Sequence, residues 1–304
     1  MEKKHVLVIG DIMLDEIITG KVERLAPNAP IPVFLEITRS RYLGGAGNVY
    51  VNINKLNISC DFCGVVGNDE EGKYIASYIK ETSRINYLRV MNLPTTKKVR
   101  CIDVNGKEYI RIDREKKNCI SQKDYHFIES EILKNIRRYN ILVFSDYGKG
   151  FLNEQFVQEI IGVCKSFGIK TIVDTKDKNL KKYKGCTVIK ISKNDFEEYI
   201  CDQTLYDENS VVLKKQVSEL ETESFVVTSG KDDILLFQKD GRKYTIETEK
   251  VNAIDVTGAG DVFISVIAEQ LYYERNIFEA IEYAKKVSGK VIQNIGTSII
   301  DKVL

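Results

Sequence analysis

The sequence is poor in the residues that hold metals. Its only histidines are His5 and His126. Cys60 and Cys63 form a Cys-x-x-Cys, with no second such motif to complete a zinc site. The stretch from Ile58 to Val66 reads as a strand, on which residues three apart face opposite sides. The two thiols therefore diverge, and buried, reduced cysteines are expected. An excess of charge is lacking too. The net charge of +1 gives no electrostatic reason to bind nucleic acid or a membrane surface. No apolar run approaches a membrane span. Asp11 and Asp15 interrupt the apolar start too early for a signal peptide, so a cytoplasmic protein is expected. The first strand, His5 to Ile9, is followed by Gly10-Asp11-Ile12-Met13-Leu14-Asp15, not by Gly-x-Gly-x-x-Gly. That argues against a nucleotide-dependent oxidoreductase. No Gly-x-x-x-x-Gly-Lys-Ser/Thr occurs, so this is no P-loop protein. Internal repeats, low-complexity tracts and long linkers are also missing.

What is present suits one large α/β domain, alone or with a small appendage: 304 residues, 43% hydrophobic and 29% charged. Three of the four prolines, Pro27, Pro30 and Pro32, stiffen an extended segment between 20 and 42. Leu43-Gly44-Gly45-Ala46-Gly47-Asn48 opens a helix to about Leu56. Residues 95–113 alternate as strands around an Asn105-Gly106 turn, a hairpin signal. On one arm Lys98 and Arg100 share a face and could together bind a phosphate. Lys107 reads as a solvated edge charge. From about 121, helices and strands alternate as in a doubly wound sheet. Helices are expected at 121–138, 153–167, from Ser192 and at 277–295. Strands are expected at 141–144, 171–174, 187–191 and 225–228, then a hairpin turning at Asp240-Gly241.

Near the C-terminal end stands Asp255-Val256-Thr257-Gly258-Ala259-Gly260-Asp261, running into Val262, Phe263, Val266, Ile267 and Leu271 at helical spacing. Small residues let the chain turn and let a ligand approach. The following helix N-terminus offers free N–H groups and a favourable dipole to an anion. Asp261, in the first turn, could take a proton from a hydroxyl while those amides hold a phosphoryl group. It could equally do no more than complement the dipole. Asp11 and Asp15, just past a strand end, could hold sugar hydroxyls or serve as loop residues.

The joint pattern shifts the weight toward the catalytic reading of Asp261. Asp-x-Thr-Gly-Ala-Gly-Asp and the Gly44-Gly45-x-x-Asn48 spacing resemble the two signatures of the PfkB (ribokinase-like) carbohydrate kinases. The resemblance implies a doubly wound, mostly parallel sheet with helices on both faces and a small β-sheet lid. It implies a single domain over 1–304, with the lid built from about 15–42 and 95–114. Asp261 is then the catalytic base, with Gly258, Ala259 and Gly260 as the anion hole. The family's sugar-binding Asp falls on Asp15, which ranks it above Asp11 as a sugar ligand, together with Gly44, Gly45 and Asn48. Thr228, Gly230 and Thr257 would contact ATP. The family's Asn-x-x-Glu, tied to magnesium, falls on Ser192 and Asp195, while Asn194 to Glu197 carries it two residues late. Asp195 and Glu197 are therefore the residues to examine for Mg2+, and a monovalent cation is a further family option. The lid would also pair two subunits into a homodimer.

Closer resemblance runs through Gly10 to Asp15, Ala26 to Val33, Ile110 to Asp113, Ser145-Asp146-Tyr147-Gly148-Lys149-Gly150 and Gly296-Thr297. These segments look like the D-glycero-β-D-manno-heptose 7-phosphate kinases of ADP-heptose biosynthesis. The His-x-Gly-His of the fused nucleotidyltransferase is missing, so a stand-alone kinase is expected. The implied acceptor is a sugar phosphate, with Lys98, Arg100 and Lys149 as candidate phosphate ligands. A kinase for another sugar or nucleoside, or a non-catalytic sugar-binding regulator on the same fold, are the other readings.

Overall fold

The computed structural model describes residues 5–117, 119–200, 217–230, 232–248, 253–293 and 298–300. Strand β1 (His5–Gly10) is buried at every position. Its alternate side chains serve two cores: Val6 and Val8 point into one, Leu7 and Ile9 into the other. Burial on both faces is why the run carries no polar alternation. The chain then leaves the main sheet. β2 (Ile12–Leu25) and β3 (Pro32–Gly45) form a long antiparallel ribbon, paired from Ile12 with Gly45 out to Leu25 with Pro32. It returns as α1 (Ala46–Lys55), β4 (Cys60–Gly67), α2 (Glu70–Thr82) and the edge strand β5 (Asn86–Met91).

A hairpin of β6 (Lys97–Ile102) and β7 (Glu108–Arg114) joins the ribbon, β6 lying parallel to β2. The result is a separate four-stranded sheet in the order β3-β2-β6-β7. Gly106, at φ 84°, makes the expected turn between β6 and β7.

The remaining elements alternate. α3 (Gln122–Asn135) precedes β8 (Tyr139–Asp146), and α4 (Glu154–Ser166), capped by Asn153, precedes β9 (Lys170–Thr175). β10 (Val188–Ser192), α5 (Lys193–Ile200) and β11 (Ser224–Ser229) follow, then the antiparallel pair β12 (Asp232–Gln238) and β13 (Lys243–Ile246). α6 (Ala259–Tyr272) and α7 (Ile277–Val291) close the described fold. The main sheet runs β13-β12-β11-β10-β9-β8-β1-β4-β5, parallel from β11 to β5. Apolar residues of α1, α2, α6 and α7 pack on one face, and those of α3, α4 and Phe196 of α5 on the other.

Cys60 and Cys63 lie in opposite cores as free thiols. Asp15 lies within β2, where the sequence reading has it past a strand end. The expected helix from Ser121 narrows to a 3-10 turn at Ile136–Arg138. No described helix is long and apolar enough to cross a membrane. Gly296 and Thr297 lie outside the described residues.

Candidate active site

The strand order reverses direction at β1, which has β8 on one side and β4 on the other. Ligands of doubly wound sheets bind beside the carboxyl ends of strands at such a switch point. The cleft found there encloses about 260 Å³. Asp15, Lys98 and Arg100 of the small sheet line it from one side. The ends of β8, β9 and β10 and the start of α6 line it from the other, contributing Tyr147, Asp174, Lys176, Lys190, Ser192, Asp195, Thr257, Gly258, Gly260 and Asp261.

Gly258 caps α6 in the left-handed region, at φ 80°. A Cβ there would come 2.6 Å from Asn48 Nδ2, so the position requires glycine on two counts. Gly258 and Gly260 both line the cleft, at a helix start whose N–H groups lack intrahelical acceptors. Ala259 does not line it. Its N–H donates to the Val256 carbonyl at 3.2 Å, which corrects its assignment to the anion hole. Lys190, missed in the sequence, lies over this turn. A Cβ on Gly260 would come 3.1 Å from its Nζ, and Asp174 holds that ammonium at 2.9 Å.

Asp261 is buried, with both oxygens held. Asn48 Nδ2 donates to Oδ2 at 2.9 Å, and the Tyr147 hydroxyl donates to Oδ1 at 2.6 Å. Burial, with the charge of Asp174, pushes its carboxyl up to about 6, against the pull of both hydrogen bonds and of Lys190. Asn48 therefore positions the carboxylate. Its own Oδ1 accepts from Asn52, so the expected contact with a sugar hydroxyl is not what its geometry provides.

Asp15 Oδ1 is buried without a hydrogen-bond partner, as a carboxylate awaiting a hydroxyl donor would be. Burial raises its pKa, opposed by Arg100 and Lys98. Gly44 leaves room for it, since a Cβ there would come 2.4 Å from Oδ2. Gly45, at φ 59°, ends β3 and lines the cleft. Asp11 faces away. Its carboxylate accepts the N–H groups of Tyr147, Lys149 and Phe151, so it shapes the 147–151 loop and is no sugar ligand. Burial and the neighbouring Asp146 push its carboxyl up to about 7.

The four cations differ in use. Lys149 pairs with Glu115 at 2.6 Å and lies outside the cleft lining, against expectation. Arg100 donates to Thr257 Oγ1 at 2.6 Å, tying the small sheet to the loop before α6. Lys98 and Lys176 face the cleft, with no carboxylate within 4.0 Å of either ammonium among the described residues. Burial lowers the Lys98 pKa; the charge of Asp15 opposes this, the charges of Lys176 and Lys149 add to it, and Asp113 opposes it too. Lys176 Nζ lies 4.5 Å above the Tyr147 ring.

Ser192 accepts from the Asp195 N–H at 3.2 Å and returns its own hydroxyl to that carboxylate, and both residues line the cleft. Asn194 is exposed, and neither it nor Glu197 is among the lining residues. The ungapped register of the Asn-x-x-Glu motif is the one that meets the cleft. Thr228 pairs with Ser192 across β10 and β11, and Gly230 ends the next turn at φ 59°. Neither is among the residues that line the cleft. No cluster of three or more His, Cys, Asp or Glu residues that could hold a metal occurs among the described residues.

A carboxylate at a helix start, lysine at the same turn and a covering sheet define a phosphotransferase with an alcohol group as acceptor. The chain matches the pfkB family carbohydrate kinases over residues 3–302 and belongs to that family. It is 33% identical over 309 residues to the bifunctional protein HldE of Aliarcobacter butzleri, covering 99% of this chain and 64% of that protein. It is 33% identical to HldE of Helicobacter hepaticus, covering 97% and 61%. The chain thus spans less than two thirds of these relatives. In structure it resembles phosphofructokinase-2 of Escherichia coli in complex with potassium, with a TM-score of 0.77 at 15% identity over 99% of this chain and 97% of that one. Arabidopsis thaliana ribokinase complexed with ribose and ATP aligns at a TM-score of 0.71 and 17% identity, over 97% and 94%.

Proposed function

We propose that the chain transfers the γ-phosphoryl group of ATP to the anomeric hydroxyl of a sugar already phosphorylated at its far end, D-glycero-D-manno-heptose 7-phosphate. The product is the 1,7-bisphosphate, in ADP-heptose formation. The observation that carries the phosphorylated acceptor is the pair Lys98 and Lys176. Both residues line the cleft with Asp15, and neither ammonium has a carboxylate within 4.0 Å among the described residues; the charge of Asp15 reaches Lys98 only from further off. An acceptor phosphate would supply that charge, and Asp15 would take a sugar hydroxyl. The HldE relatives support the heptose.

Asp261 accepts the proton of the attacking hydroxyl. The first turn of α6 and Lys190 hold the transferring phosphoryl group, and each such donor is typically worth roughly 3–4 kcal/mol. Arg100, bonded to Thr257, keeps the small sheet closed as a lid and excludes water. Magnesium travels with nucleotide phosphates and needs only one or two protein carboxylates. Asp195, in the cleft wall, fits that demand, and Glu197 does not reach it. The ion neutralises charge on the phosphates when bound. The far face of the small sheet exposes Ile37, Ile110 and Ile112, and we assign it to pairing two copies of the chain.

The test is ATP consumption against a panel of sugars and sugar phosphates, with Lys98→Ala/Lys176→Ala beside the wild type. The expected result is fast turnover of the heptose 7-phosphate by the wild type. The double variant should lose roughly 100-fold in kcat/KM on it, two charged hydrogen bonds' worth, with little change on free sugars. Wild-type preference for an unphosphorylated sugar would sink the acceptor assignment and leave a pfkB kinase of another specificity.

A further inference from the structure

Two groups hold the carboxylate of Asp261, and only Asn48 has so far been given a part at the site. Asn48 follows the glycines at the start of α1. Tyr147 comes from the loop after β8. Its hydroxyl lies 2.6 Å from Asp261 Oδ1, and it stands in the cleft wall beside the base. The loop that presents it is fixed from below. The N–H groups of Tyr147, Lys149 and Phe151 converge on the buried carboxylate of Asp11. Asp146, one residue earlier, is anchored by Tyr183 and Lys182. From above, Lys176 covers the Tyr147 ring at 4.5 Å. A side chain clamped on three sides and aimed at one oxygen is suited to orientation.

We propose that Tyr147 is a positioning residue for the base: its hydroxyl orients the Asp261 carboxylate and keeps it ionised in a buried site. The inference rests on the reading of Asp261 as the base. A charged acceptor makes the Tyr147 bond strong. The phenol itself stays protonated, because burial and the charges of Asp261, Asp174 and Asp15 all raise its pKa. It therefore donates throughout the working range and does not compete for the substrate's proton. Around the carboxylate, Asp174 on β9 disfavours ionisation, while Lys190 on β10, Asn48 on α1 and Tyr147 favour it. Removing Tyr147's hydroxyl leaves the balance tilted toward the protonated acid.

The experiment is the Tyr147→Phe variant, which keeps the ring beneath Lys176. Its first readout needs no acceptor: a carboxyl-carbon NMR titration of aspartate-labelled protein, with the Asp261 signal identified by its loss in Asp261→Asn. The Asp261 midpoint should rise by about one pH unit. An unchanged or lower midpoint overturns the proposal. The second readout is the pH profile of kcat/KM on the wild type's best acceptor. Its acidic limb should move up with the midpoint, a loss of about fivefold at pH 6 that vanishes above pH 8. A uniform loss at every pH, with the limb unmoved, also overturns the role. An NMR midpoint that rises while the limb stays would separate the cases: Tyr147 then tunes Asp261, but Asp261 is not the base.

Discussion

At the scale of single residues, the carboxylate we assign as the base is also the one whose surroundings oppose its charge. Burial raises Asp261 to about 6, and it must be ionised to accept a proton. kcat/KM is therefore expected to be flat above neutrality and to fall about tenfold per unit below pH 6. A profile with no acidic limb down to pH 5 would contradict this. Asp261→Asn keeps the shape of the side chain and removes the base. We expect ATP binding by calorimetry to persist while kcat drops by about 10³, within the usual range for general-base removal. The placement of Asp15 and Asp261 in one cleft was legible because each sits in or beside a motif that the sequence displays. Lys176 and Lys190 were not. They are ordinary lysines in sequence, and only the meeting of β9 and β10 with α6 places them in the cleft. Asp11 and Lys149 misled for the converse reason. Their residue types suit a ligand, but their partners, backbone N–H groups and Glu115, come from elsewhere in the chain.

Among the elements, the turn into α6 brings Thr257, Gly258, Gly260 and Asp261 together in the cleft. Gly258→Ala would place a side chain at φ 80° and against Asn48. The backbone conformation alone costs about 1–2 kcal/mol. Displacing Asn48 also removes one of the two holds on Asp261. The variant should unfold at lower urea and lose activity by more than its stability loss explains; wild-type kcat at full folding would contradict this. Elements with continuous apolar runs or clear caps, such as β1, β8 and α4, could be read directly from sequence. Helix α2 could not. Its buried apolar stripe is only Ile75 and Ile79, too short for helical spacing to stand out. The start of β2 was hidden for a different reason. A single residue, Asp11, separates it from β1, too short a break for periodicity to detect.

For the whole molecule, the small sheet has two faces of opposite character. Asp15, Lys98 and Arg100 look into the cleft. The reverse face carries a charge cluster, the buried Glu16 ringed by the more exposed Arg39, Arg41 and Lys97, beside exposed Ile37, Ile110 and Ile112. If that face joins two copies, Ile110→Asp/Ile112→Asp should yield a monomer by sedimentation velocity, from a wild type that sediments as a dimer. A wild-type monomer at micromolar concentration would refute the pairing. The strand-to-strand pairing that builds this sheet also has a bearing on how such a protein could be altered. The ribbon leaves the body at Ile12 and comes back at Gly45, and those two residues are paired with each other. Its ends therefore meet at one fixed gap, whatever lies between them. A ribbon of another length could therefore be spliced in at that gap, provided residues 14–19 keep their pairing with β6, which carries Lys98 and Arg100.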